Sequence, residues 1–83
     1  MIGKIIKLKN DLEYYIIDKI TLDKKTYFFG VQVDNKSETL TNNYISLEMK
    51  LNDSDVLVGN IKDKKENERI NDLFIERLEK QSN

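Results

Sequence analysis

Cysteine and histidine are both missing from the sequence, as are tryptophan, proline and alanine, and glycine occurs only three times in 83 residues. Each gap closes off a chemistry. Without cysteine there is no disulfide framework and no thiolate centre. Without cysteine or histidine, an ordinary zinc or transition-metal site lacks its usual ligands. The missing histidine also deprives any serine nucleophile of its common base, and no Ser-x-x-Lys spacing offers a substitute. Gly3, Gly30 and Gly59 stand alone, so no glycine-rich loop cradles a phosphate. The expectation is a protein with no catalytic residue, no metal and no cofactor.

Long hydrophobic runs are missing too. The longest, at 14–17, falls far short of the roughly 20 apolar residues that cross a bilayer. Met1-Ile2-Gly3-Lys4 has neither the apolar stretch nor the cleavage site of a secretory signal, so a cytoplasmic protein without a membrane partner is expected. A chain of this length supports one domain over 1–83, with a core that is only just adequate.

What is present is charge, at 35% of residues and nearly balanced: 14 Lys and Arg against 15 Asp and Glu, a net charge of −1. The balance argues against bulk attraction to nucleic acid. Its distribution is uneven, because the first 25 residues carry six Lys and four acids, whereas 26–61 carries two Lys and five acids. Lys (12), Ile (10) and Asn (9) dominate, and Arg occurs twice. These preferences follow AT-rich codons and point to a low-GC bacterium or to a phage or mobile element carried by one.

The pattern along the chain changes once, near Ile61. Before it, β-branched and aromatic residues alternate with polar ones, the period of strands. Strands are expected at 2–9, 12–22, 26–34, 44–51 and 56–61. In the second, Leu12, Tyr14, Ile16, Ile20 and Leu22 fall on one face with Asp18 as the exception, and Tyr15 and Ile17 on the other. In the third, Tyr27, Phe29, Val31 and Val33 share a face opposite Phe28 and Gly30; glycine inside a strand often marks a bulge or a close backbone approach. Asn10-Asp11 and Asp23-Lys24-Lys25 read as turns, and 35–43 reads as a mobile hairpin loop. In the fourth strand Ile45, Leu47, Met49 and Leu51 alternate with polar residues, as in an antiparallel sheet with one buried face.

After Ile61 the period becomes helical. Asp63 and Glu66 fit a capping box, and Ile70, Leu73, Phe74 and Leu78 form one stripe, with Ile75 at its edge. A helix over 63–80 is expected, and it must find a sheet to cover. The expected fold is α+β: a five-stranded antiparallel meander, curled toward an SH3-like half-barrel, with one C-terminal helix packed on it.

Candidate chemistry is sparse. Asn52-Asp53-Ser54-Asp55 puts two carboxylates in one turn but lacks the further ligands of a calcium loop. Asp18 is the most unusual acid, and Glu48 is the nearest thing to a second catalytic carboxylate. Lys4, Lys7, Lys9, Lys24 and Lys25, with aromatic rings on a small sheet, make nucleic-acid binding the alternative reading. The leading reading is contact with another protein, through Tyr15, Ile17, Lys19 and Phe28 on the second sheet face. Self-association into a homo-oligomer through an exposed strand or the apolar rim of the helix is a further alternative.

The segment from Glu13 to Ile20 (EYYIIDKI), a short turn, and then Lys25-Thr26-Tyr27-Phe28-Phe29-Gly30 resemble the small YrzB-like proteins of low-GC Gram-positive bacteria and their phages. The resemblance implies a strand meander followed by an acid-rich helix, and it supplies no site residue. This chain departs from that family in being nearly neutral. Together these readings lead to the expectation of a non-enzymatic protein-binding module, an accessory or inhibitor protein of a phage or mobile element acting on a host protein.

Overall fold

The computed structural model describes residues 2–8, 11–52 and 55–81. Five strands, β1 (Ile5–Lys7), β2 (Glu13–Leu22), β3 (Lys25–Asp34), β4 (Thr39–Asn52) and β5 (Asp55–Asn60), precede one helix, α1 (Lys64–Gln81). The strands form a single antiparallel sheet in the order β1-β2-β3-β4-β5, a meander. The sheet curls into a half-barrel, and the helix packs on its outer face.

With so little glycine, other residues take the left-handed backbone positions that tight hairpins demand. Asp23 (φ 50°) and Lys24 (φ 68°) form the two-residue connection between the paired residues Leu22 and Lys25. Asp11 (φ 66°) closes the first hairpin, and its amide donates to the Leu8 carbonyl at 3.0 Å. Glu38 (φ 56°) ends the turn before β4, donating to the Asp34 carbonyl at 2.7 Å.

The sheet has a hydrophobic cluster on each side. On the outer face, Tyr27 and Phe29 pack with Ile61, Ile70 and Phe74, flanked by Ile17, Ile20, Leu22, Leu73 and Leu78. Inside the curl, Ile16, Phe28 and Leu47 pack with Ile6, Leu8, Ile45, Met49 and Val58. The stripe of Ile70, Leu73, Phe74 and Leu78 is therefore the buried side of α1, whereas Ile75 is exposed.

Two register shifts correct the strand pattern expected from the sequence. On β2, Ile16 pairs with Gly30 and Asp18 with Phe29, which leaves Ile17 as the extra residue of a β-bulge. A bulge shifts the alternation by one, so Tyr14 and Ile16 face the interior while Asp18, Ile20 and Leu22 face the helix. The single face drawn through Tyr14, Ile16, Ile20 and Leu22 is thus split. Gly30 lies against the bulge, where an added Cβ would come within 3.2 Å of Tyr14 Cβ.

The second shift, between Val31 and Val33, belongs to β4. β4 begins at Thr39, so most of the segment expected as a mobile loop is strand. Its polar residues are held locally: Thr41 Oγ1 donates to the Gln32 carbonyl at 2.9 Å, and Asn43 Nδ2 to Gln32 Oε1 at 3.1 Å. β1 is shorter than the expected 2–9.

Polar contacts to β2, β3 and β4 seat the helix. Asp63 caps α1, its Oδ1 accepting from Lys65 N at 3.0 Å. Glu66, the expected second member of a capping box, turns to the sheet, where its Oε1 accepts from the Tyr27 hydroxyl at 2.8 Å. Ser46, buried on β4, donates to Asn71 Oδ1. Arg77 grips Asp18 on β2 with both Nη2 (3.1 Å) and Nε (3.0 Å).

Candidate functional site

Beyond the helix, the outer face of the sheet carries one apolar row that runs across four strands. Ile5 pairs with Tyr15, Tyr15 with Val31, and Val31 with Tyr44. Paired residues of antiparallel strands project to the same side, so these four side chains form a continuous band. Val31 is buried within it, Tyr15 is half-buried, and Ile5 and Tyr44 are 54% and 48% exposed. Leu40, paired with Val33 at the neighbouring level of the sheet, adds a further exposed aliphatic side chain (55%).

This band is tied to the core by a run of aromatic rings. Phe29 lies parallel to Phe74 (centroids 4.9 Å, 14°) on one side and to Tyr44 (5.3 Å, 7°) on the other. The rigid core thereby fixes the orientation of an exposed aromatic ring. A fixed aromatic surface loses little side-chain freedom when a partner covers it.

The side chains expected to share a partner-binding face do not share one. Tyr15 lies in the outer band and Ile17 packs at the margin of the helix-covered cluster. Lys19 pairs with Phe28 on the opposite side of the sheet. Phe28 is only 3% exposed, a member of the interior core, so it offers a partner no surface. The bulge at Ile17 causes the separation, because a strict alternation would keep Tyr15, Ile17 and Lys19 together. Ile5, Leu40 and Tyr44 were missed. Tyr44 carried a signal, as the aromatic residue one step outside the inward-facing series Ile45, Leu47 and Met49.

The lysines expected to bind nucleic acid are also dispersed. Lys7 pairs with Glu13 at one end of β2, and Lys25 with Leu22 at the other. The length of β2 is roughly 30 Å at a strand rise of ~3.3 Å per residue. Lys4 lies beside Lys7 and Lys24 beside Lys25, while Lys9 falls outside the described residues. Lys7 has Asp11 at 3.8 Å and Lys25 has Glu66 at 3.7 Å.

Asp18, the acid that interrupted an apolar pattern, is occupied on both oxygens by Arg77 and accepts from Lys19 N at 2.8 Å. Glu48 sits two strands away on β4 with Lys50 at 3.2 Å, and the two carboxylates do not converge. The turn considered for cation binding lies largely outside the described residues, at 53–54.

A second open region follows the seam between the two edge strands. A cleft of about 740 Å³ runs there between Leu8 on one side and Leu57 and Val58 of β5 on the other, rimmed by Lys7, Lys50 and Lys62. Among the described residues no helix is long and apolar enough to cross a membrane. No family model matches the chain, and neither a curated protein nor a solved structure matches it.

Proposed function

We propose that the protein is a non-enzymatic binding module that holds another protein against the open side chains of the outer band, Ile5, Tyr15 and Tyr44, with Leu40 beside them. One observation carries this reading: Ile5, Tyr15 and Tyr44 are aligned in register about a buried Val31, and the helix that buries the rest of that face leaves these three open to solvent in whole or in part. Contiguous exposed apolar surface on a small domain marks an interaction site more often than scattered single residues do. The composition agrees with carriage by a phage or mobile element, where a small binder acts on a host protein.

The test compares the native chain with Leu40→Asp and Tyr44→Asp as baits in an extract of the bacterium that carries the gene. Both residues are about half exposed, so the variants are expected to fold. The expected result is a partner retained by the native chain and depleted at least about tenfold by each variant, as for loss of a central apolar anchor. Equal retention by all three, or none by the native chain, overturns the reading.

A further inference from the structure

From the seam between β1 and β5 we infer a second, separate binding site, one that takes an extended acidic segment of another polypeptide as an added strand along β5. The sheet order ends in β1 and β5, so each has only one hydrogen-bonded neighbour. One edge of β5 therefore presents its backbone N–H and C=O groups to the cleft. Natural edge strands are commonly blunted by proline, inward-pointing charge or a cover. Residues 56–60 of β5 (VLVGN) carry no charge and no proline, and Val56 and Leu57 are more than half exposed. Among the described residues nothing lies within 4 Å of the position a Cβ would take on Gly59, so the backbone there is open to close approach.

The chemistry of the occupant follows from the lining. Among the described residues every charged member of the cleft is a lysine, namely Lys7, Lys50 and Lys62, in a chain whose net charge is −1. Asp11 faces Lys7 at 3.8 Å in an exposed pair of small worth, and Glu48, itself largely buried, faces Lys50 at 3.2 Å; each ammonium has three hydrogens and so keeps donors for a further acceptor. Successive side chains of an added strand point to opposite faces. One set would meet Leu8 and Val58 at the interior margin, and the other would lie beside Leu57 and the lysines. An alternation of Val or Ile with Glu or Asp fits both. A second copy of this chain brings lysines to lysines. A nucleic acid would find neither an aromatic ring for its bases nor an arginine fork for its phosphates in the lining.

The experiment titrates the full chain into a fluorescein-labelled octapeptide alternating Glu and Val and reads anisotropy, with a Lys-Val octapeptide and a thymidine dodecamer as parallel arms. The expected result is saturable binding of the acidic peptide alone, weakened about tenfold by Lys50→Gln with Lys62→Gln and weakened again by salt. Amide hydrogen exchange at Leu57, Val58 and Gly59 is expected to slow when the peptide binds. No saturation, unchanged binding by the lysine variant, tighter binding of the dodecamer, or a dimer whose protected amides lie on β5 overturns the inference. Leu40→Asp leaves this binding intact, which separates the seam from the outer band.

Discussion

Tyr27 holds its proton more firmly than an ordinary tyrosine does. Burial, and after it the hydrogen bond to Glu66 and the charge of that carboxylate, push its phenol from 10 up to about 12. The folded state thus keeps a proton that the unfolded chain releases near pH 10. This contribution to stability is complete below about pH 10 and is lost as the pH rises toward 12. Urea midpoints are expected to fall between about pH 9 and pH 11, and the fall is expected to be shallower in Tyr27→Phe, which has no phenol to ionise. Lys24 carries a cost of another kind, since a lysine at φ 68° pays the Cβ penalty of the left-handed region. Lys24→Gly is expected to stabilise the protein by about 0.5–1 kcal/mol, seen as a higher urea midpoint with an unchanged slope.

For the helix as an element, apolar burial and polar seating are separable. Its buried stripe was legible because a period of 3.6 singles out Ile70, Leu73, Phe74 and Leu78 without reference to anything else in the chain. Its polar partners were not, since Asp18 and Arg77 are 59 positions apart and no local pattern connects them. Arg77→Leu is expected to destabilise by about 1–2 kcal/mol, because the Asp18 side chain, only 14% exposed, is left charged without its partner. Adding Asp18→Asn is expected to restore part of that loss in urea unfolding, the mark of an uncompensated charge. The strands divide in the same way. The faces of β3 follow from alternation alone, whereas those of β2 turn on the bulge at Ile17, which no residue type announces in a run of Tyr, Tyr, Ile, Ile. β4 was read too short because Thr41, Asn42 and Asn43 are turn-forming types, whereas in the structure Thr41 and Asn43 bond to Gln32 and the strand pairs with β3 on either side of them.

At the scale of the whole molecule, the sheet is a wall shared by two cores, and neither the outer band nor the seam was legible as a site. Both depend on which parts of that wall the helix and the curl leave open, a question of three-dimensional coverage. Phe28 was misjudged for that reason, since alternation places it on the second face but the curl buries it. Phe74→Ala removes a fully buried ring that stacks on Phe29, and is expected to cost about 3–5 kcal/mol. Small domains with a core this modest sit near the low end of the range of about 5–15 kcal/mol, where that loss is expected to leave a substantial unfolded fraction, visible as collapsed dispersion in an amide NMR spectrum. The extra residue at Ile17 decides how such damage spreads. Because β2 crosses from the inner core to the outer one at that point, Ile16 and Ile20 belong to different cores but to the same strand. It acts as a stitch through both layers of the fabric, so that loosening either layer pulls on the other and the domain comes apart as a single piece.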